Sequence, residues 1–193
     1  PNSATCTGSR PYTLSVAANP PLVTEVVSRK THGAATHELK ITTGVAVTGN
    51  VTVEPREIKA GHLIVFKFNQ ALTASGSVAA FNQAGTPIGV ASVTRSGSEA
   101  RVTLTGIPDN QRVRVVLTGA GTTNGTLTTE ASMAFMVGDV SGSHTVNAAD
   151  ISAVKARASA SVTAANFVYD LTQDGAISTA DVTAVKARSG LSH

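Results

Sequence analysis

The feature that most constrains the fold of this chain is an internal duplication near its C-terminal end. The segment from Asp139 to Arg157 aligns with the segment from Asp170 to Arg188 at an offset of 31 residues, and eight of the nineteen aligned positions are identical. Each copy begins with a polar stretch of twelve residues and continues into a helical pattern that ends in Val-Lys-Ala-Arg. Self-similarity at a fixed period is typical of one supersecondary unit used more than once. The sequence therefore predicts two loop–helix repeats with a small core of their own.

The polar stretch of the second copy carries oxygen-bearing residues at the spacing that a hard cation such as Ca²⁺ requires. A twelve-residue calcium loop supplies ligands from positions 1, 3, 5, 7 (a backbone carbonyl), 9 and 12. In the second copy these positions are Asp170, Thr172, Asp174, Ala176, Ser178 and Asp181. Gly175 stands at position 6, where the chain must turn sharply, and Ile177 at position 8 is expected to point into the core.

The first copy has fewer carboxylates. Its ligand positions are Asp139, Ser141, Ser143, Thr145, Asn147 and Asp150. His144 stands where glycine is expected, and Gly142 is close enough to absorb part of the turn. We therefore expect one or two bound Ca²⁺ ions, with tighter binding in the second loop because it has three carboxylates against two.

The sequence of each loop is also consistent with a structure that binds no ion. In the second copy, Ser178 or Thr179 together with Asp181 would form an ordinary helix N-cap. That cap does not require Asp170 or Asp174. In the first copy, hydrogen bonds alone would hold the loop.

Residues 1–137 have the pattern of a β protein. The runs 62–68, 100–104 and 112–117 are rich in β-forming residues or alternate polar and apolar residues. Weaker strands are expected at Tyr12–Ala17, Leu22–Ser28, Glu38–Thr42, Val51–Glu54, Ser77–Phe81, Ile88–Val93 and Ser132–Val137. Many short strands separated by turn residues predict an antiparallel β-sandwich over 1–137, followed by the small helical domain over 138–193.

Charge and composition exclude several classes of protein. Residues 1–137 carry 11 Lys/Arg and 7 Asp/Glu, residues 138–193 carry 4 and 5, and the basic residues are mostly scattered singly. Nucleic-acid binding needs clustered cations with aromatic residues to stack on, so we do not expect it. No apolar run approaches the roughly 18–20 residues of a membrane span. Cys6 is the single cysteine, which excludes an intramolecular disulfide. The start at Pro1 is interpreted as a processed, exported chain.

The tandem loops that open on Asp139 and Asp170, each followed by one helix and lacking the leading helix of an EF-hand, resemble type I dockerins over about residues 138–190. The resemblance implies calcium-dependent docking onto a protein partner, best known as a cohesin. Dockerin recognition often uses a Ser-Thr pair at loop positions 10 and 11, which here are Ala148-Ala149 and Thr179-Ala180. The succession of a β region and this module is also similar to the C-terminal ends of large secreted bacterial proteins.

Histidines and glutamates of the β part are the other site candidates in the sequence. His32 and His37 are expected to lie in a loop, because no cysteine, aspartate or third histidine is near them in the sequence. Glu54 and Glu57 are the closest glutamates of the β part, and we expect them at solvated positions rather than in acid–base catalysis. No nucleophile elbow is visible.

The sequence thus predicts a non-enzymatic, extracellular assembly protein with a calcium-stabilised docking module. The partner is either a cohesin-like β-sandwich or another copy of the chain, and the second case gives a filament if the contact does not close. The small residues of the two helices, including Ala153 and Ala184, are expected to form the docking face. The alternative is a cell-surface or polysaccharide-binding appendage cleaved from a secreted hydrolase.

Overall fold

The structure, a computed structural model, describes residues 19–193. The expected strand at Tyr12–Ala17 and Cys6 lie outside the described residues. Within the described residues, nine strands come first, followed by two α-helices with a 3₁₀ helix (Phe167–Tyr169) between them. The strands and helices are β1 Val23–His32, β2 Ala35–Lys40, β3 Thr52–Glu54, β4 His62–Phe68, β5 Ser77–Asn82, β6 Val90–Ser96, β7 Glu99–Thr105, β8 Gln111–Thr122, β9 Gly125–Phe135, α1 Ala148–Lys155 and α2 Thr179–Lys186.

The strands form two sheets that pack face to face. One sheet has the order β2-β1-β4-β7-β6 and the other β3-β9-β8-β5, and all pairs are antiparallel except β3 with β9. Alternate residues of β4, β7 and β8 point inward, so that Ile64, Val102 and Val115 lie in one core between the sheets. The expected fold class, an antiparallel β-sandwich followed by two loop–helix repeats, is confirmed.

A second core joins the sandwich to the two repeats. It contains Val53 and Met136 from the sandwich side together with Leu171, Ile177 and Val185 from the repeats, all buried. Ile177 therefore points into a core as expected, but that core is shared rather than internal to the repeats. No linker separates the two parts, because β9 ends at Phe135 and the first loop opens at Asp139.

The last hairpin of the sandwich is longer than the sequence indicated. Its two strands, β8 and β9, pair almost to the tip of the hairpin. The sequence predicted that β8 ends at residue 117 and that β9 begins at Ser132. The added part is rich in threonine and glycine, which carry little hydrophobic signal. Pairing with the neighbouring strand and packing of Leu127 against the sandwich core stabilise it instead.

Polar residues at the junction also differ from expectation. Glu54, Arg56 and His32 are buried, although charged residues of this part were expected to face water. His32 is the last residue of β1 and His37 lies within β2, so neither is a loop residue. Within residues 19–193, no helix is long and apolar enough to cross a membrane.

Candidate functional site

The two repeats place their ligand candidates at equivalent positions of two capped helices. Asn147 begins α1 and Ser178 begins α2, and the side chain of each accepts a hydrogen bond from the backbone two residues on. Asp150 and Asp181 complete the two capping boxes by accepting from the cap residue's own backbone N–H. The helix cap that the sequence left open as an alternative is therefore present in both copies, and it uses position 12 of each loop.

The first and last carboxylates of each loop are buried. Asp139, Asp150, Asp170 and Asp181 are each at most 1% exposed. Asp174, at position 5 of the second loop, is exposed instead.

In the first loop, Asp139 and Asp150 accept hydrogen bonds chiefly from the loop's backbone. The Asp139 carboxylate accepts from the backbone N–H groups of Ser143 and His144, at 3.0 and 2.7 Å, and from the Ser141 hydroxyl. The Asp150 carboxylate accepts from the backbone of Ser141 at 3.0 Å. Positions 1, 3 and 12 are thus brought together. The hydroxyl of Ser143 instead donates to the carbonyl oxygen of Thr145 at position 7, at 3.0 Å.

The second loop repeats this arrangement with different side chains. Asp181 Oδ1 accepts from the backbone and the hydroxyl of Thr172, at 2.9 and 3.0 Å. Asp170 accepts from the backbone of Asp174 and Gly175, at 3.3 and 3.0 Å. The carboxylate of Asp174 accepts from the backbone N–H of Ala176 at 2.9 Å.

Position 6 requires a positive φ in both loops. Gly175 has φ +95° and His144 has φ +62°. Glycine adopts this conformation without a Cβ clash, whereas histidine adopts it at a cost in backbone strain. The first loop therefore has the expected turn geometry despite its non-glycine residue.

The second loop lies against the sandwich at the β1–β2 hairpin. His32 Nδ1 is 2.9 Å from Asp170 Oδ2, and Arg56 contacts the other ring nitrogen of His32 at 3.1 Å. Burial lowers the pKa of His32 and the charge of Arg56 lowers it further, while the hydrogen bond to Asp170 acts in the opposite direction. Because a guanidinium can only donate, the ring nitrogen that faces Arg56 accepts and carries no proton. Phe167, just before the loop, packs edge-on against His32 and stacks on His37.

Arg56 is itself held by a buried ion pair. Its guanidinium donates to both oxygens of Glu54, each at 2.6 Å, and Ser28 donates to the same carboxylate. Burial raises the pKa of Glu54, but the charge and hydrogen bonds of Arg56 outweigh this and lower the pKa to about 2. Glu54 is therefore ionised and paired with Arg56, rather than solvated as the sequence predicts.

The first loop and the end of α2 are fixed to the sandwich by other contacts. The Gly138 N–H donates to the Pro55 carbonyl at 2.9 Å, and His144 Nε2 lies 3.0 Å from Asn50 Oδ1. The guanidinium of Arg188, beyond the end of α2, donates to Asp109 at 3.0 Å. These contacts, with the shared core, give both loops a defined position on the sandwich.

The residues present fit a hard cation. Among residues 19–193, no lysine, arginine or histidine forms an ion pair with Asp139, Asp150 or Asp181. A buried carboxylate without a countercharge is costly, so a cation at these positions would offset the cost. No group of three His, Cys, Asp or Glu side chains in the described part could hold a metal alone. A cation must therefore also take hydroxyl and carbonyl oxygens, as calcium does and zinc does not.

Sequence reasoning missed His32 and Arg56 as neighbours of the second loop. His32 and Asp170 are 138 positions apart, and no local pattern marks a contact of that separation. The one available signal was the pair of opposite charges, Glu54 and Arg56, two positions apart at the end of an expected strand.

Paired loops of this kind, each followed by a single helix, define a class of calcium-loop docking domains. Residues 137–188 match the model of the type I dockerin domain family. Type I dockerin domains bind calcium and bind cohesin proteins as partners. The match confirms the resemblance to type I dockerins that the sequence shows over this part of the chain. No curated protein matches the chain.

Proposed function

We propose that residues 19–193 form a calcium-stabilised docking unit of an extracellular protein. In this role both loops bind Ca²⁺, and the outward faces of α1 and α2 bind a protein partner. The proposal is one of binding, not catalysis. The observation that carries it is the set of buried loop carboxylates without a cationic partner in the described part of the chain.

The two loops are proposed to differ in calcium affinity. The second loop has three carboxylates and a glycine at the strained turn position, whereas the first has two carboxylates and His144 there. Asp174 is exposed at the mouth of the second loop, where its free oxygen adds negative charge without a burial cost. More ligand charge and less strain both favour tighter binding in the second loop.

Isothermal titration with Ca²⁺ tests this ranking. Asp174→Ala is expected to weaken the tighter binding step by about tenfold or more, because it removes a charged oxygen ligand. Ser143→Ala, the equivalent change in the first loop, removes a neutral hydroxyl and is expected to affect only the weaker step. Equal losses in the two variants contradict the ranking, and absence of calcium binding in the parent contradicts the proposed function.

The docking face is assigned to the sides of α1 and α2 that face away from the shared core. Ser152 and Thr183 are exposed at equivalent points of the two helices. Their hydroxyls bond only to the preceding turn of their own helices, at 2.8 and 2.9 Å. In contrast, Ala153 and Ala184 are half-buried, and Ala184 packs against the shared core. Ala148, Ala149 and Ala180, which the sequence also assigned to this face, are exposed, and we propose Ser152 and Thr183 in place of Ala153 and Ala184.

Replacing both Ser152 and Thr183 with glutamate is expected to abolish docking while leaving the fold intact, because both side chains are exposed. We would measure the mass in solution by light scattering, and binding to a panel of type I cohesin domains by biolayer interferometry, in millimolar Ca²⁺ and in EDTA. Ser92→Glu with Thr94→Glu, at exposed positions of the edge strand β6, is the matched control for added charge.

The outcomes separate the possible roles. Cohesin binding that is lost in EDTA and in the Ser152/Thr183 variant supports docking onto a separate partner. A calcium-dependent rise in mass that the same variant abolishes supports assembly with another copy. A monomer that binds no cohesin with or without Ca²⁺ contradicts the docking role and favours the appendage alternative.

A further inference from the structure

A buried chain of polar contacts runs from the sandwich into the second calcium loop. It starts at Ser28 and Glu54, passes through Arg56 to His32, and ends at the Asp170 carboxylate. Each of these side chains is at most 2% exposed. A buried polar network of this length is stable only when its members are satisfied, so the position of each group depends on its neighbour.

The hydrogen-bond directions in this chain are fixed by Arg56. A guanidinium has donors and no acceptor, so Arg56 Nη1 donates to His32 Nε2. With Nε2 accepting, the proton of the neutral ring is on Nδ1, which donates to Asp170 Oδ2 at 2.9 Å. His32 therefore delivers a defined N–H donor to the carboxylate at position 1 of the loop.

The two oxygens of Asp170 are engaged unequally. Oδ2 accepts from His32 at 2.9 Å and from the Gly175 backbone at 3.0 Å. Oδ1 has only longer contacts, at 3.3 Å to the Asp174 backbone and 3.5 Å to the Thr172 hydroxyl. His32 and Gly175 thus fix the plane of the carboxylate and leave Oδ1 as the oxygen available to a cation.

The first loop shows no such contact among the described residues. Asp139 accepts only from its own loop, through Ser141, Ser143 and His144. The backbone of the sandwich also lies close to the backbone of the second loop. The Gly33 N–H donates a hydrogen bond to the Gln173 carbonyl oxygen at 3.2 Å. A Cβ at Gly33, whose φ is +58°, would lie 3.1 Å from the Asp174 carbonyl oxygen.

We infer that His32 is a positioning residue for Asp170, so that the sandwich supplies the outer shell of the second calcium site. This inference rests on the proposed calcium binding. Outer-shell hydrogen bonds orient ligands, and their removal typically costs about 10–100-fold in metal affinity. The second loop is accordingly a composite site, built by two parts of the chain, whereas the first loop is built by one.

Terbium(III) luminescence sensitised by Tyr169 reports on the second loop, because this tyrosine directly precedes Asp170. The chain has two tyrosines and no tryptophan, so a Tyr12→Phe background leaves Tyr169 as the one aromatic sensitiser. In that background we would compare His32→Phe, which keeps a ring but no donor, with His32→Asn. The asparagine amide nitrogen is bonded to Cγ, as Nδ1 is in histidine, and keeps a donor without the ring.

His32→Phe is expected to weaken terbium binding about 10–100-fold, and His32→Asn to stay within about threefold of the parent. His37→Ala is the control for lost packing, because it removes a ring that stacks on Phe167 but does not touch Asp170, and we expect about parental affinity. Circular dichroism in calcium-free buffer checks that each variant folds.

Terbium affinity equal to that of the parent in His32→Phe overturns the inference. A loss of affinity of tenfold or more in His32→Asn also overturns it. If His32→Phe does not fold, the affinity of His32→Asn decides the test by itself. A parent that binds neither terbium nor calcium overturns the proposed function as well. The two failures are therefore distinguishable.

Discussion

Replacing Arg56 with methionine is expected to lower the free energy of unfolding by about 3–5 kcal/mol at pH 7. Arg56 is fully buried and donates to both oxygens of Glu54. Without it, the Glu54 carboxylate is left as an uncompensated charge in the interior. Urea unfolding followed by circular dichroism measures the loss.

The loss is expected to depend on pH in a defined direction. In the parent, the pKa of Glu54 is lowered from 4.5 to about 2, so the pair stabilises the fold fully above pH 4.5. This contribution is lost as the pH falls from 4.5 towards 2. In Arg56→Met, burial still raises the pKa of Glu54, and only the Lys30 charge and the Ser28 hydrogen bond remain to lower it. The difference between variant and parent is therefore largest at neutral pH and shrinks in acid.

Two comparisons test the explanation. Arg114→Met removes an arginine whose ion pair with Glu130 is exposed, and we expect a loss of only about 0–1 kcal/mol. Glu54→Leu combined with Arg56→Met removes both charges, and should be more stable than Arg56→Met alone. A loss below about 1 kcal/mol in Arg56→Met, or no recovery in the double variant, contradicts the role assigned to the pair.

Removing calcium is expected to destabilise the whole described chain in one transition. A ligand at 1,000 times its Kd stabilises by about 4 kcal/mol per site, which corresponds to a shift in Tm on the order of 10 °C for a chain of this size. Val53 and Met136 of the sandwich share a core with Leu171 and Val185 of the dockerin, so the two parts should unfold together. Scanning calorimetry in Ca²⁺ and in EDTA measures the shift.

This expectation differs from the one that the sequence favours. Two domains with separate cores would show two transitions, with EDTA lowering the dockerin transition alone. A sandwich transition that stays in place in EDTA contradicts the cooperative unit. Magnesium at the same ionic strength is the control for a general salt effect, because its small octahedral shell suits this loop poorly.

The sequence predicted the features that depend on local pattern. The β-rich run in β4 and the alternation in β7 and β8 indicated the sandwich, and the spacing of Asp170, Asp174 and Asp181 indicated the second loop. The long ends of β8 and β9 were missed, because their threonines and glycines carry little apolar periodicity. Strand pairing across the hairpin stabilises those ends. Local sequence patterns do not reveal which strands pair.

The buried junction was missed for a different reason. Glu54, Arg56 and His32 are charged or titratable residues, and side chains of these types ordinarily face water. Their burial depends on mutual satisfaction within one network that reaches Asp170 through a contact across 138 positions. Only the assembled fold shows that each group has its partner. The proposed calcium ligands follow a local sequence pattern, whereas the residues that position them do not.

The direct passage from β9 into the first loop also determines the reach of the docking face. The backbone N–H groups of Met136 and Gly138 donate to the carbonyl oxygens of Glu54 and Pro55. The connection between the sandwich and the first loop is therefore held in one conformation. A module on a flexible tether searches a volume set by its linker and loses that freedom when it binds. Here the outward faces of α1 and α2 have one fixed orientation relative to the sandwich. A partner on the proposed docking face would consequently be held at a fixed angle and distance from the sandwich.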